Sequence, residues 1–223
     1  MITTTRFAAA EVNVNTGDAM LAGTLTLPAE ACGVVVFAHG SGSSRFSPRN
    51  RLVADILNQA GLATLLFDLL TRKESEIDEM TAELRFDIEL LSQRLTGAVD
   101  WLVRHQPLAA LRVGLFGAST GAAAALCTAA ARPEQVAAVV SRGGRPDLAD
   151  AALPQVRAPT LLIVGGEDGP VIGMNRAAAA RLTSEHCLEI VPGATHLFEE
   201  PGMLDVVARL ARQWFVRHLQ KPS

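Results

Sequence analysis

Two kinds of hydrophobic pattern run along this chain. Near its start, "AEVNVNT" and "AMLAGTLTLP" alternate apolar with polar residues on either side of Thr16-Gly17-Asp18. Period-two alternation around a glycine turn predicts two half-buried strands paired as a hairpin. From residue 33 onward the alternation gives way to short continuous apolar runs. These are "GVVVFA" (33–38), "LATLLFD" (62–68), "RVGLFG" (112–117), "VAAVVS" (136–141) and "TLLIVGG" (160–166), followed by the weaker "CLEIVP" (187–192). Runs of this kind suit strands covered on both faces, as in a parallel sheet.

Helix-length segments separate the runs. Residues 47–60 carry Pro48 at the expected helix start. Residues 80–105 place Leu84, Ile88, Leu91, Leu95, Val99 and Leu102 at helical spacing. Residues 121–131 are nearly all alanine, a strong helix former of small radius. Segments 171–183 and 203–219 complete the series. Strand–helix alternation implies right-handed crossovers, hence an α/β fold with a mostly parallel central sheet, helices on both faces and the antiparallel opening pair at one edge. Residues 69–83, "LLTRKESEIDEMTAE", form the most charged stretch. They are expected to be a solvated loop or short helix able to overhang a site. With no internal repeat and no low-complexity linker, residues 1–223 are read as one domain.

Composition narrows the class. Of the 223 residues, 49% are hydrophobic and 19% charged, enough apolar material for a substantial core and too much for a disordered chain. A net charge of −3 without a long basic run argues against a nucleic-acid partner held through phosphates. Three widely separated cysteines, Cys32, Cys127 and Cys187, supply neither a disulfide framework nor a zinc pattern, and are read as reduced and mostly buried. The opening "MITTTRFAAAEVNVN" lacks the apolar core of a secretory signal. No run reaches the roughly 18 residues needed to span a bilayer. The expectation is a cytoplasmic protein with no membrane partner and no bound metal.

The chemistry begins at "GLFGASTGAAA". It fits G-x-S-x-G through Gly117, Ser119 and Gly121, between a predicted strand and a predicted helix. A serine on so sharp a turn needs small neighbours, which the two glycines, Ala118, Ala122 and Ala123 provide. The turn would raise the hydroxyl above the carboxyl ends of the strands, at a helix N-terminus that supplies donors and a positive dipole. Chance occurrence in a Gly/Ala-rich chain is the bland alternative. A phosphate-binding loop is disfavoured because alanines follow the glycines where Lys and Ser/Thr are needed, and no G-x-G-x-x-G fingerprint is present. The chain has no tyrosine to serve as the acid of a short-chain dehydrogenase.

A serine nucleophile needs a base, and the base needs an orienting group. Asp168 in "LLIVGGEDGPV" and His196 in "CLEIVPGATHLFEEPG" follow Ser119 in that order, each just after a predicted parallel strand, at the sheet edge where open α/β folds place their sites. Taken singly, Asp168 reads more readily as a cap or turn former, and His196 equally as a solvated or capping loop residue. Glu167 is the nearest wrong neighbour, and Asp147 and Asp150 are reserve acids. Two backbone N–H groups are candidates for an oxyanion hole: Thr120, directly after the serine, and Ser41 in "FAHGSGSSR". His39, beside that loop, is read as shaping it by hydrogen bonding and not as the base. Arg45, Arg49, Arg142 and Arg145 gather near the expected mouth. Arginine forks suit carboxylates and phosphates, so Arg45, Arg142 and Arg145 are candidate contacts to an anionic substrate; pairing of Arg145 with Asp147 or Asp150 is the bland alternative.

These residues together resemble the α/β-hydrolase superfamily, in its dienelactone-hydrolase-like branch. The resemblance rests on "FAHGSGSSRFSPRN", "FDLLTRKE", "FDIELLSQRL", "GLFGASTGAAAAL", "VVSRGGRPDLA", "LLIVGGEDGPVI" and "VPGATHLFEEPG", in the expected order over nearly the whole chain. It implies a Ser119–His196–Asp168 triad, an acyl-enzyme on Ser119, no cofactor and a small-molecule acyl substrate, ester, lactone or thioester. Dienelactone hydrolase itself uses cysteine where this chain has Ser119; Cys127, two helical turns later, is no replacement. The large cap insertion of many lipases is missing, which implies an open site. Acyl transfer by the same triad and a non-catalytic binding module are the competing readings.

Overall fold

In a computed structural model, the described residues are 7–220. Residues 1–6, on which the reading of the N-terminus as free of a secretory signal partly depends, lie outside them. The alternating opening segments form β1 (Ala9–Asn15) and β2 (Met20–Thr26), paired antiparallel with Val14 opposite Leu21, both buried. The continuous runs form β3 (Gly33–Ala38), β4 (Leu62–Phe67), β5 (Val113–Ala118), β6 (Val136–Arg142), β7 (Thr160–Gly165) and β8 (His186–Val191). They assemble one eight-stranded sheet in the order β1-β2-β4-β3-β5-β6-β7-β8. Pairing is parallel from β4 to β8, and β2 meets β4 antiparallel. Burial explains the pattern: every residue of β3, β4, β5 and β7 is buried, whereas β8 is an edge strand and only partly covered, hence its weaker apolar run.

Helices seal both faces. On one, α3 (Ile88–Leu102) and α4 (Thr120–Ala131) cover Val36, Leu65, Leu115, Val139 and Leu162; on the other, α1 (Pro48–Gln59) and α6 (Met203–Leu219) cover Phe37, Phe116, Val140 and Ile163. Ser47 caps α1, accepting from the Asn50 N–H, with Pro48 at its first position. The alanines of α4 are a packing requirement. Ala122–Ala125 have no exposure, and only so thin a helix can sit this close to the strands beneath it. A further helix, α5 (Gly169–Ala179), follows β7 and ends about one turn earlier than the sequence pattern suggests.

The expected helix over 80–105 is corrected. The charged stretch forms its own helix, α2 (Arg72–Thr81), closed by Ala82 in the left-handed region at φ 57°. A 3-10 turn at Leu84–Phe86 follows, and α3 begins only at Ile88, where Asp87 accepts from the Leu90 N–H. The charges themselves set this break. Thr71 and Glu74 form a reciprocal capping box at the start of α2. Near its end, buried Asp78 accepts from the Arg85 N–H at 2.9 Å and from Arg85 Nε at 2.7 Å, folding residues 82–86 back. The cysteines are a second correction: all three are free but half-buried rather than mostly buried. Among the described residues no helix is long and apolar enough to cross a membrane.

Candidate active site

Ser119 stands between the end of β5 and the first residue of α4, with φ 51° and ψ −120°. That left-handed conformation costs a non-glycine residue about 1–3 kcal/mol, and surrounding contacts must enforce it. Three of them are visible. The Ser119 N–H donates to Arg142 O at 3.2 Å, the Arg145 N–H donates to Ser119 O at 3.1 Å, and the Ala122 N–H donates to the same oxygen. The flanking glycines are required by space: a Cβ at Gly117 would collide with the backbone of Ala122, and one at Gly121 with the carbonyls of Ala38 and His39. The β3–α1 loop lies against the serine, since a Cβ on Gly40 would come within 3.1 Å of Ser119 Cβ.

Asp168 and His196 meet. His196 Nδ1–H donates to Asp168 Oδ2 at 2.7 Å, and the Asp168 side chain is 13% exposed. In the neutral ring this bond puts the proton on Nδ1 and makes Nε2 the acceptor. The two loops that carry the pair are joined by their backbones. The Gly166 N–H donates to Val191 O and the Glu167 N–H to Ala194 O, while a Cβ on Gly165 would strike Ala194 and Thr195. Phe198, buried and at φ 58°, anchors the far side of the histidine turn. The Glu200 carboxylate accepts from the Thr195 N–H and hydroxyl. Glu167 is exposed and contributes only backbone. Asp147 and Asp150 are ion-paired with Arg145 and Arg181.

No hydrogen bond joins Ser119 Oγ to His196 in this structure. Residues 142 and 143 connect the two: Arg142 O holds the Ser119 amide, and Gly143, at φ 51°, lies under the histidine, where a Cβ would stand 3.0 Å from His196 O and 3.4 Å from Nδ1. Gly143 is a site residue that sequence reasoning did not single out. Its only sequence signal is the "RGG" following a strand end.

Next to Thr120 a cavity of about 950 Å³ opens between the β3–α1 loop, the β4–α2 loop and α2; Ser119 and His196 are not among its lining residues. Ser41 and Thr120 line it, and neither backbone amide has an acceptor among the described residues. For Thr120 this follows from its place in the first helical turn. His39 supports the loop. It accepts from the Leu69 N–H through Nε2 and donates from Nδ1 to Gly40 O, and burial holds its pKa below the usual imidazole value. Both ring nitrogens are occupied and the ring stays neutral. Thr71, Ser75 and Asp78 place α2 along the cavity wall, so the charged segment borders the cavity. Two of the candidate substrate arginines are engaged elsewhere. Arg45 binds Asp68 at 2.7 Å and Glu11 at 2.9 Å, and Arg145 binds Asp147 at 2.7 Å. Arg142 has no ion pair among the described residues.

The geometry has relatives. Residues 21–217 match the model of the Dienelactone hydrolase family. The chain belongs to that family. A crystal structure of a dienelactone hydrolase from Anabaena variabilis is 60% identical, with a TM-score of 0.95 over 96% of this chain and 99% of that one. The esterase Est1E from Butyrivibrio proteoclasticus shares the fold at 14% identity, with a TM-score of 0.78 over 93% of this chain and 98% of that one. The family is one of hydrolases acting on ester-type bonds, and its fold spans residues 21–217 of this chain. A Mycobacterium tuberculosis protein bearing the provisional name phosphoribosyl transferase is 56% identical over 213 residues, which are 96% of this chain and 47% of that protein. The chain thus spans about half the length of that relative. Within the family fold, Cys127 sits on α4, half-buried, its thiol pKa raised by burial, and Ser119 occupies the strand–helix turn.

Proposed function

We propose that the protein is a serine hydrolase that cleaves a small-molecule ester, lactone or thioester through an acyl-enzyme on Ser119. The observation that carries this reading is the strained Ser119 turn set beside a His196–Asp168 pair whose bond leaves Nε2 as the proton acceptor. His196 Nε2 takes the Ser119 proton as Oγ attacks the carbonyl carbon. Asp168 keeps the tautomer and stabilises the imidazolium. The amides of Thr120 and Ser41 receive the oxyanion, each such donor being worth about 3–4 kcal/mol of barrier. Collapse of the intermediate expels the alcohol or thiol, which takes the proton from His196, and water repeats the sequence to release the acid. Catalytic hydrogen bonds often tighten only in the substrate complex, so the open Ser119–His196 pair is compatible with these roles.

The deciding experiment is labelling with a fluorophosphonate, read by intact mass and peptide mapping. A single adduct on Ser119, missing in Ser119→Ala, is expected. A folded sample that gives no adduct at pH 8 overturns the reading in favour of a binding module. Acyl transfer is the second reading, because the same acyl-enzyme can be intercepted by an alcohol, amine or thiol. Product analysis with added nucleophiles separates it from hydrolysis.

A further inference from the structure

Arg142 ends β6, and strand alternation puts its side chain on the same face as Ala138 and Val140, toward α1 and α6. The residue is 7% exposed. Its Nε and Nη1 are closed off from solvent without a hydrogen-bond partner, and no acid among the described residues pairs with it. Its neighbour in charge is another cation, Arg49, from the first turn of α1, which lines the cavity next to Thr120, whereas Arg142 lies behind that wall. Burial first, and the Arg49 charge second, push the Arg142 pKa down to about 10, so it remains a cation at neutral pH. Arg49 itself holds Glu199 at 2.9 Å through Nη1, while its Nε is buried and unpaired.

A buried guanidinium without a counterion is among the least stable arrangements a fold can retain. The other arginines nearby show what the sequence does when the role is structural: Arg45, Arg85, Arg94 and Arg145 each have a carboxylate within 2.8 Å. Arg142 has none, yet its own carbonyl holds the Ser119 amide and the next residue lies against His196. We propose that Arg142, with Arg49 beside it, binds an oxyanion group of the acyl substrate, a carboxylate or a phosphate, next to Ser119. An oxygen pair would satisfy the fork of Arg142 N–H groups in the bidentate manner that such groups favour. The inference rests on the Ser119 reading, since it takes the anion to be part of the molecule that serine attacks.

The test separates the two. In Ser119→Ala protein, thermal unfolding is followed while inorganic phosphate or acetate is titrated at constant ionic strength. A saturable rise in Tm with one of them, abolished by adding Arg142→Gln, is expected, and the responding anion identifies the oxyanion. Without anion, Arg142→Gln is expected to unfold at the same or a higher temperature, because it removes an uncompensated buried charge. Arg142→Lys keeps the charge and should retain a weaker rise. In active enzyme, the kcat/KM ratio of a carboxylate-bearing p-nitrophenyl ester to a neutral one should fall about tenfold or more in Arg142→Gln. No saturable rise, an equal rise in Arg142→Gln, or a Tm of that variant several degrees below its parent would each overturn the proposal and make Arg142 a structural strut. A saturable rise without fluorophosphonate labelling would keep the anion site and remove the Ser119 reading. Labelling without a rise would do the reverse.

Discussion

The two flanks of Ser119 are built differently. Toward β7 and β8, the loops carrying Asp168 and His196 are joined by backbone hydrogen bonds and by glycines with no room for a Cβ. Toward β3, β4 and α2, the cavity is walled by long side chains and by a short helix held through a cap and a few ion pairs, with Ile77 and Met80 exposed on it. Proton transfer requires positions held to a fraction of an ångström, which backbone bonds and close contacts provide. Substrate selection asks only for a wall of suitable shape and charge. The division implies that changes on the β7–β8 flank act on turnover, and changes around α2 act on substrate affinity.

The largest effect should come from the serine and its relay. Ser119→Ala is expected to lower kcat by about 10⁴-fold or more, and Asp168→Asn by about 10⁴-fold through the wrong imidazole tautomer, both with an unchanged fold by circular dichroism. Substantial residual activity in Asp168→Asn would break the comparison, since His196 would then be held by its loop alone. Next comes Gly143→Ala. A methyl group there would stand 3.0 Å from His196 O at a φ of 51°, so the loop must shift. A displacement of this kind can cost about 10²-fold in rate, and steady-state kinetics should place the loss in kcat with KM retained. A loss confined to KM would assign Gly143 to the substrate wall.

On the other flank, Thr71→Ala removes the capping hydroxyl of α2 at a cost of about 1 kcal/mol. Amide exchange across Arg72–Thr81 should then quicken roughly fivefold, with protection in β7 and β8 unchanged. KM should rise and kcat stay near that of the parent. Equal quickening in the β7–β8 loops would show that the flanks open together and would dissolve the distinction between them.

How much of this was legible in the sequence differs along the same line. The strands were readable because β3, β4, β5 and β7 are buried on both faces, and such burial leaves an unbroken apolar run. The placement of Ser119, Asp168 and His196 after strand ends was readable because the sheet itself sets where those loops begin. The α2–α3 break was not readable. Leu84 keeps helical register with Ile88, and the interruption comes from Asp78 capturing Arg85, a pairing that residue spacing alone does not reveal. Arg45, Arg142 and Arg145 looked alike for the same reason. The partners of Arg45 lie 34 and 23 residues away, and the lack of a partner for Arg142 Nε and Nη1 among the described residues is a fact of three-dimensional arrangement.

The smallest expected effect is in acid, and it falls on α2 first. Burial alone would raise the Glu74 carboxyl, but hydrogen bonds from the Thr71 amide and hydroxyl, together with the Arg94 charge, hold it below its ordinary value. Asp78 is opposed in the same way by burial and is held low by the Arg85 amide and guanidinium. A carboxyl whose pKa is depressed on folding adds stability that is fully present above its unfolded value, about 4, and is lost as pH falls through the lower folded value. Protection of the α2 amides should therefore be flat from neutral pH down to about pH 4, after correction for intrinsic exchange, and decline below that. Asp78→Asn should lose part of this protection at pH 7 and show a shallower decline in acid. Protection that grew on acidification would mean that α2 is strained by its own negative charges, and the helix wall would then be a repulsive element opened by anions at neutral pH.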